Sequence, residues 1–272
     1  GVQTCALPIL GERGILFSAW NSSDLNITQG PIVIDSISRL SPQIVINCAA
    51  WTNVDSAESN ELLASRVNSY GAENVAKAAK LCNAKLFHIS TDYVFNGTGT
   101  RPYKETDPVD PVNAYGAGKA EGERLAAASG CRSYIIRTSW VYGKQGNNFV
   151  KTMKRLMAER ESIGVVNDQL GCPTNAADLA DVIMKIITAD TPVPGGIYHF
   201  SNAGVTTWYD FAQAIRTFIK SSCEVRPIRT IDFPTPAKRP GYSVMDISKL
   251  TEVLNIKSPY WKESLEKFLK ES

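Results

Sequence analysis

The feature that most constrains the fold is an alternation of short apolar, β-branched runs with longer helical patterns. Four runs are typical of strands: ILFSAW (15–20), QIVINCAA (43–50), KLFHIS (85–90) and YIIRTSW (134–140). Helical patterns follow these runs, at 31–40, about 59–83, 114–129 and 147–160. Because strands that alternate with helices of ten or more residues form βαβ units, the sequence predicts a doubly wound parallel sheet and the α/β class.

The second half of the chain has a looser rhythm. After about residue 150, prolines punctuate shorter elements, although the helix at 147–160 still starts with an Asn of the kind that caps helices. We therefore expect a smaller C-terminal lobe that is interleaved with the end of the sheet domain.

Composition and charge favour a small molecule as the partner. The 272 residues carry a net charge of +2 without a basic run, which disfavours nucleic acid. Six cysteines are scattered without a CxxC pair, so we expect neither a metal site nor a disulfide framework, and a cytoplasmic location fits best. No apolar run approaches the roughly 18 residues of a membrane span, and no signal-peptide pattern is present.

A hydroxyl-rich cluster follows the third strand, where open parallel sheets bind their ligands. Thr91 and Asp92 directly follow that strand. Tyr115 lies 24 residues beyond Thr91, on a predicted helix that carries Lys119 four residues later, at positions i and i+4. A nearby ammonium favours the phenolate, so Lys119 is predicted to lower the pKa of Tyr115. With Thr91 holding a carbonyl, this set suits proton transfer to an oxygen while hydride reaches the attached carbon.

Longer motifs resemble one family. They are QIVINCAAWTNVDSAES, HISTDYVFNG, RTSWVYG and NDQLGCPT. From about residue 10 to its end, the chain is similar to the dTDP-4-dehydrorhamnose reductases, which are extended short-chain dehydrogenases/reductases. The resemblance implies reduction of the C4 ketone of dTDP-6-deoxy-L-lyxo-4-hexulose to dTDP-L-rhamnose by NADPH, and in some members by NADH.

The resemblance assigns roles to individual residues. Tyr115 matches the catalytic acid, Lys119 matches the residue that grips the nicotinamide ribose, and Thr91 matches the residue that orients the carbonyl. The other positions that match cofactor contacts are Asn26, Ile27, Ala49, Ala50, Trp51 and Thr52. The positions that match substrate contacts are Thr91, Asp92, Tyr93, Trp140, Asn148 and Arg239.

The resemblance also implies two functional parts and a cofactor preference. A dinucleotide-binding domain is expected at 10–146 plus about 175–203, and a substrate-binding lobe at 147–174 and 204–272. The run at 15–20 is followed by no acid that would select NAD, so NADPH is expected and NADH stays open. Ala177 stands where some relatives place a metal-binding acid, so no metal-bridged dimer is predicted, and both a monomer and a homodimer stay open.

The first residues do not fit this fold. A dinucleotide-binding fold starts with a strand and a glycine-rich turn that leads into a helix, and this chain shows no such turn. Residues 1–9 match the translation of a common sequencing adapter, so we expect them to be foreign. The domain is then expected to lack its first strand and its glycine loop.

Two other functions stay open at this point. A nucleotide-sugar epimerase or dehydratase of the same superfamily shares the YxxxK pattern, but it fits STDYVF and NDQxGxPT less well. The family also resembles the regulatory subunit of methionine adenosyltransferase, which binds a cofactor without catalysis. Intact Thr91, Tyr115 and Lys119 favour the enzyme without excluding the binding protein.

The expected lack of a first strand predicts weak dinucleotide binding by the printed chain. That strand is central in this fold, so its loss exposes two strand edges in a structure whose total stability is about 5 to 15 kcal/mol. We expect titration calorimetry to detect little or no binding of NADPH. A submicromolar affinity would contradict this expectation.

Overall fold

A computed structural model describes residues 15–271. The strands are β1 (Ile44–Asn47), β2 (Lys85–Thr91), β3 (Arg132–Thr138), β4 (Val141–Tyr142), β5 (Ser162–Val166), β6 (Leu170–Gly171), β7 (Thr174–Asn175), β8 (Gly196–His199), β9 (Thr206–Thr207) and β10 (Glu224–Ile228). The α-helices are α1 (Gly30–Leu40), α2 (Val54–Ser59), α3 (Glu61–Ser65), α4 (Ala72–Leu81), α5 (Ala114–Ala128), α6 (Phe149–Glu159), α7 (Ala176–Ile187), α8 (Trp208–Phe218), α9 (Ser248–Leu254) and α10 (Trp261–Lys270). A π-helical segment (Arg66–Gly71) joins α3 to α4.

The main sheet has four parallel strands in the order β1, β2, β3, β8. The predicted strands at 43–50, 85–90 and 134–140 form its first three members, and β1 is shorter than predicted because it ends at Asn47. Three two-stranded sheets pair β5 with β10, β4 with β7 and β6 with β9. The predicted α/β class with a parallel sheet is confirmed.

Both faces of the main sheet are buried, because successive residues of a strand point to opposite sides. Leu86 packs into an apolar cluster with α1, α4 and α5, whereas the next residue, Phe87, packs into a cluster with α7. Both side chains are fully buried. The helices therefore cover the sheet in two layers, as the doubly wound arrangement requires.

A second core lies beyond this sheet. Buried side chains from α6, α8 and α10 pack together with strands β5 and β10, and Phe211 of α8 contacts several of the aromatic rings. The helix predicted at 147–160 is confirmed as α6, and its predicted cap is Asn148, whose side chain accepts a hydrogen bond from the Lys151 amide at 3.1 Å. The predicted boundaries between the two lobes stay a prediction.

The predicted strand at 15–20 is wrong. These residues adopt no strand or helix, although Trp20 packs against the cluster beneath α1. A strand needs a neighbour to pair its backbone groups, and within residues 15–271 the strand β1 pairs only with β2. The prediction that residues 1–9 are foreign lies outside the described residues.

Helix α5 lies unusually close to the π-helical segment. A Cβ atom added to Gly122 would collide with the carbonyl oxygen of Asn68, which belongs to the backbone and has little freedom to move. One turn earlier, a Cβ atom at Gly118 would lie 3.3 Å from the Asn68 side chain. Glycine at position 122 therefore sets the distance between α5 and its neighbour.

Gly122→Ala is expected to lower the free energy of unfolding by about 1 to 3 kcal/mol, because the cost of overpacking exceeds the gain in helix propensity. Gly118→Ala is the matched control on the same helix, and its effect should stay within about 1 kcal/mol. Urea denaturation of the two variants measures both values. Equal stabilities would contradict the proposed close approach.

Candidate active site

The predicted catalytic residues converge where β2 ends. Thr91 is the last residue of β2 and lies opposite Thr138 at the end of β3. Helix α5 begins after Asn113, whose side chain accepts a hydrogen bond from the Gly116 amide at 2.8 Å, and its first turns carry Tyr115 and Lys119 to this edge. Thr91 is therefore close to Tyr115 and Lys119 in space, although it is separated from them in the sequence.

Thr91 is the centre of a hydrogen-bonded cluster. Its buried side chain donates to Oδ1 of Asp92 at 3.0 Å and accepts from the amide of Tyr93 at 3.2 Å. The Tyr115 hydroxyl lies close enough to the same threonine for the Thr91 side chain to lower the pKa of Tyr115. The ring of Tyr93 packs edge-on against Tyr115, with 5.8 Å between their centroids.

The predicted lowering of the Tyr115 pKa is wrong. Burial raises the pKa of the Tyr115 phenol to about 12, although the nearby Thr91 side chain acts in the opposite direction. The charge of Asp92 raises this pKa further. The helical spacing does bring Lys119 to the site, but burial of the phenol outweighs any effect of the ammonium.

The side chain of Lys119 is held against strand β2. Its Nζ donates to the carbonyl oxygen of Ile89 at 2.6 Å and lies 3.4 Å from Nε2 of His88. Burial lowers the pKa of Lys119 to about 8, and the charges of Glu123 and Cys48 oppose this shift. The position of the ammonium is thus fixed by the backbone of β2, a contact that the YxxxK pattern does not reveal.

Asp92 is a buried carboxylate with one unpartnered oxygen. Only 2% of the residue is exposed, and its Oδ2 atom makes no hydrogen bond. Burial raises the pKa of Asp92 to about 7, while the hydroxyl groups of Ser243 and Thr91 act to lower it.

Trp140 occupies a strained position after β3. Its φ angle is 48°, in the left-handed region that non-glycine residues rarely adopt. Its ring stacks on that of Trp208, with 3.6 Å between the centroids, and a Cβ atom added to Gly171 would lie 2.5 Å from it. Trp208, at the start of α8, was not predicted as part of the site, since residues this far apart in the chain give no local signal of stacking.

Arg239 joins the C-terminal segment to the sheet domain. Its guanidinium forms an ion pair with Asp55 of α2 at 2.8 Å, and its Nη1 atom is buried without a hydrogen-bond partner. The neighbouring carbonyl of Lys238 accepts a hydrogen bond from Asn113 at 2.9 Å. Asp55 was not predicted as a site residue.

Asn148 is the residue that directly precedes helix α6. Its amide nitrogen donates to the Gly143 carbonyl at 2.8 Å, while its oxygen caps α6. Both ends of the amide are therefore engaged within the protein, and its predicted contact with substrate stays a prediction.

The residues predicted to contact the cofactor lie around the π-helical segment. Asn68 accepts from the Trp51 amide at 2.8 Å and donates to the Trp51 carbonyl at 3.2 Å, which fixes the turn formed by Ala49, Ala50, Trp51 and Thr52. On its other side, Gly71 packs against Ile27, and the Asn26 side chain accepts from the Thr28 amide at 3.0 Å. The structure thus brings both predicted groups to one segment.

A buried ion pair links helix α5 to strand β3 near the carboxyl ends of the strands. Arg137 of β3 donates to both carboxylate oxygens of Glu123, with the shortest distance 2.7 Å. The hydroxyl of Ser90 donates to the same carboxylate. Neither Glu123 nor Arg137 was predicted, because a charged residue within a strand or helix pattern does not reveal its partner.

The described residues contain no group of three or more histidine, cysteine or acidic side chains placed to hold a metal ion. Over the same part of the chain, no helix is both long enough and apolar enough to cross a membrane.

The parallel sheet, with Thr91, Tyr115 and Lys119 at its carboxyl edge, defines an α/β oxidoreductase of the short-chain dehydrogenase/reductase class. The family model described as the RmlD substrate binding domain matches residues 7–272. The chain belongs to this RmlD family of dTDP-4-dehydrorhamnose reductases.

Sequence and structural similarity to individual relatives supports this family membership. A dTDP-4-dehydrorhamnose reductase of Aggregatibacter actinomycetemcomitans is 43% identical, over 91% of this chain and 87% of the relative. A spore coat polysaccharide biosynthesis protein of Bacillus subtilis is 39% identical, over 100% and 93% of the two chains. The crystal structure of a dTDP-4-dehydrorhamnose reductase from Bacillus anthracis in complex with NADP matches with a TM-score of 0.95 and 40% identity, and covers 100% of this chain and 95% of that chain.

Glu123→Gln is expected to lower the free energy of unfolding by about 3 to 5 kcal/mol, because it leaves the charge of Arg137 buried without compensation. Glu121→Gln is the matched control on the same helix: its partner Arg124 is exposed, so the loss should be at most about 1 kcal/mol. Urea denaturation compares the two. Similar losses in both variants would show that the buried pair has no special weight.

Proposed function

We propose that this protein reduces the C4 ketone of dTDP-4-dehydrorhamnose (dTDP-6-deoxy-L-lyxo-4-hexulose) to dTDP-L-rhamnose, with NADPH as the hydride donor. The observation that carries the proposal is the convergence of Thr91, Tyr115 and Lys119 at the end of β2 in a chain of this family. The names of its relatives and the NADP complex of one of them support the same reaction.

The described residues fit the nicotinamide half of NADPH. Tyr115 and Lys119 lie on one face of α5, and their hydroxyl and ammonium groups are donors that suit the hydroxyl groups of a ribose. These two residues would hold the nicotinamide ribose, the turn at 49–52 would follow the cofactor, and Asn26 with Ile27 would lie beside the adenine. When bound, NADPH supplies the hydride that reaches C4. NADH stays open as a second donor.

Tyr115 provides the proton for the ketone oxygen. Burial raises the pKa of its phenol to about 12, so the residue carries this proton throughout the neutral range. Thr91, which lies beside Tyr115, orients the carbonyl next to that hydroxyl. Lys119 binds the ribose, and the proton of Tyr115 is available to the substrate.

The substrate lies between the two cores in this proposal. Asp92, Tyr93 and Trp140 contact the sugar, Asn148 contacts the substrate from the smaller lobe, and Arg239 contacts the diphosphate. The unpartnered Nη1 of Arg239 supports its role, since a buried guanidinium donor needs an acceptor. The dinucleotide domain then comprises 10–146 with about 175–203, and the substrate lobe comprises 147–174 with 204–272.

A cytoplasmic monomer or homodimer completes the proposal. The cysteines of the described chain, Cys48, Cys82, Cys131, Cys172 and Cys223, are all free thiols, as is usual in a reducing compartment.

Tyr115→Phe is expected to lower kcat about 10²- to 10⁴-fold, because it removes the proton donor and leaves the ring in place. The assay follows the loss of NADPH absorbance with the dTDP-4-keto-6-deoxy sugar as substrate. Tyr70→Phe is the control, since Tyr70 is 57% exposed and lies outside the cluster.

The same assay separates the alternatives. No oxidation of NADPH would leave a cofactor-binding protein or an epimerase standing and would contradict the reductase. Full activity of Tyr115→Phe would contradict the role given to Tyr115.

A further inference from the structure

A series of buried polar contacts joins Lys119 to the turn that would follow the cofactor. The amide of Ala49 donates to Oδ1 of Asn47 at 3.1 Å, and Nδ2 of Asn47 lies 3.1 Å from Nδ1 of His88. Nε2 of the same imidazole lies 3.4 Å from Nζ of Lys119. The geometry points to His88 as a positioning residue: held by Asn47, its imidazole sets the place of the Lys119 amine and disfavours the charged form of that amine. This inference rests on the proposed function, in which Lys119 binds the ribose.

The pairing of β1 with β2 brings these side chains together. Asn47 and His88 lie opposite each other in the register of the two strands. Because side chains alternate along a strand, His88 points to the same side of the sheet as Leu86, which packs into the cluster with α5. Helix α5 carries Lys119 to that side, and at most 4% of Asn47, His88 or Lys119 is exposed. With so little access to water, the polar groups of these side chains depend on one another for hydrogen bonds.

The amide of Asn47 determines which ring nitrogen of His88 carries the hydrogen. Its oxygen already accepts from the Ala49 amide, so its nitrogen faces the imidazole. An amide nitrogen only donates, and Nδ1 of His88 must therefore accept. Burial and the charge of Lys119 hold the pKa of His88 well below its ordinary value, so the ring is neutral. A neutral imidazole that accepts at Nδ1 carries its hydrogen on Nε2, the atom that faces Lys119.

A hydrogen on Nε2 suits the uncharged form of Lys119. The ammonium group has three donors and no acceptor, so it meets the Nε2–H group as a second donor. The uncharged amine offers a lone pair to that hydrogen and still donates to the carbonyl oxygen of Ile89, at 2.6 Å. The contact with His88 thus acts in the same direction as burial, which lowers the pKa of Lys119 to about 8.

The titratable groups around Lys119 oppose this effect or are uncharged. Glu123, one turn farther along α5, and Cys48, directly after β1, both raise the pKa of Lys119. The Glu123 carboxylate is already paired with Arg137 of β3 at 2.7 Å. Burial raises the pKa of the Cys48 thiol and of the Tyr115 phenol to about 12, so both are neutral near pH 7. The imidazole and the carboxylate therefore act in opposite directions on the charge of the amine.

The kinetic test follows kcat/KM for NADPH as a function of pH. The ammonium form, which we propose binds the ribose, is present below the pKa of Lys119 and is lost as the pH rises through about 8, so kcat/KM should fall in that range. His88→Phe removes the Nε2–H donor and keeps a ring in the core. The pKa of Lys119 should then rise by about 0.5 to 1, and the fall in kcat/KM should move to higher pH by the same amount.

NMR spectroscopy measures the pKa of Lys119 without turnover. The titration of lysine labelled at Cε gives this pKa, and Lys119→Met assigns the signal. The chain contains two histidines, and nitrogen spectra of their rings should show the hydrogen of His88 on Nε2. His199→Phe is the matched control: its buried ring contacts Arg137 and the Tyr103 carbonyl, so its loss should leave the pKa of Lys119 unchanged.

A second variant, Asn47→Asp, reverses the tautomer with little change in shape. A carboxylate only accepts, so the hydrogen of His88 should move to Nδ1, and Nε2 should then accept from the ammonium of Lys119. The pKa of Lys119 should rise. Because the new charge also raises it, Asn47→Asp is repeated in the His88→Phe background, where the rise should be smaller.

The sign of the shift decides the matter. A lower pKa of Lys119 in His88→Phe would overturn the inference, because it would mean that Nε2 accepts from the ammonium in the unsubstituted protein. An unchanged pKa, or a loss of kcat/KM that is equal at every pH, would also overturn it and leave His88 as a residue of the core. If His88→Phe does not fold, the tautomer decides: a hydrogen on Nδ1 in the unsubstituted protein would overturn the inference. The expected shift in a protein that oxidises no NADPH would support the role of His88 and contradict the proposed function instead.

Discussion

The alternation of side chains along β2 connects the core of the protein to its site. Leu86 faces the helices α1, α4 and α5, and Phe87 faces α7, so the strand is fixed by apolar contacts on both sides. It is also paired with a strand on each edge. Thr91 ends this strand, and the Ile89 carbonyl holds Lys119, so the positions of both groups follow from the burial of a strand that has little freedom to shift.

The same burial explains why the site behaves differently from its isolated residues. Desolvation is the largest cause of the pKa shifts of Tyr115, Lys119 and Asp92, and it favours the neutral form of each group. The pKa values of the three groups are therefore set by burial as well as by their neighbours. A solvent-exposed cluster with the same spacing would lack this desolvation, and its pKa values would stay closer to their ordinary range.

Local patterns predicted most of the fold, and long-range pairing explains the rest. Apolar runs and helical periodicity placed β2, β3, α5 and α6, because burial on one or two faces leaves a signal in the sequence. The run at 15–20 has the composition of a strand, but strand formation also depends on a partner, which composition does not report. The site follows the same division: Thr91, Tyr115 and Lys119 are linked by spacing, whereas the pairing of Arg239 with Asp55 and of Trp140 with Trp208 joins distant segments.

The left-handed backbone at Trp140 costs about 1 to 2 kcal/mol, and stacking on Trp208 helps to offset it. A glycine at this position would adopt the same backbone without strain, but it would lose the stacking on Trp208 and the packing of the ring against the second core. Such a change would also delete the ring that we propose contacts the sugar. The tryptophan thus marks a trade-off in which the protein accepts a less favourable backbone to keep a large aromatic surface in place, and a search for stabilising substitutions should leave this residue alone.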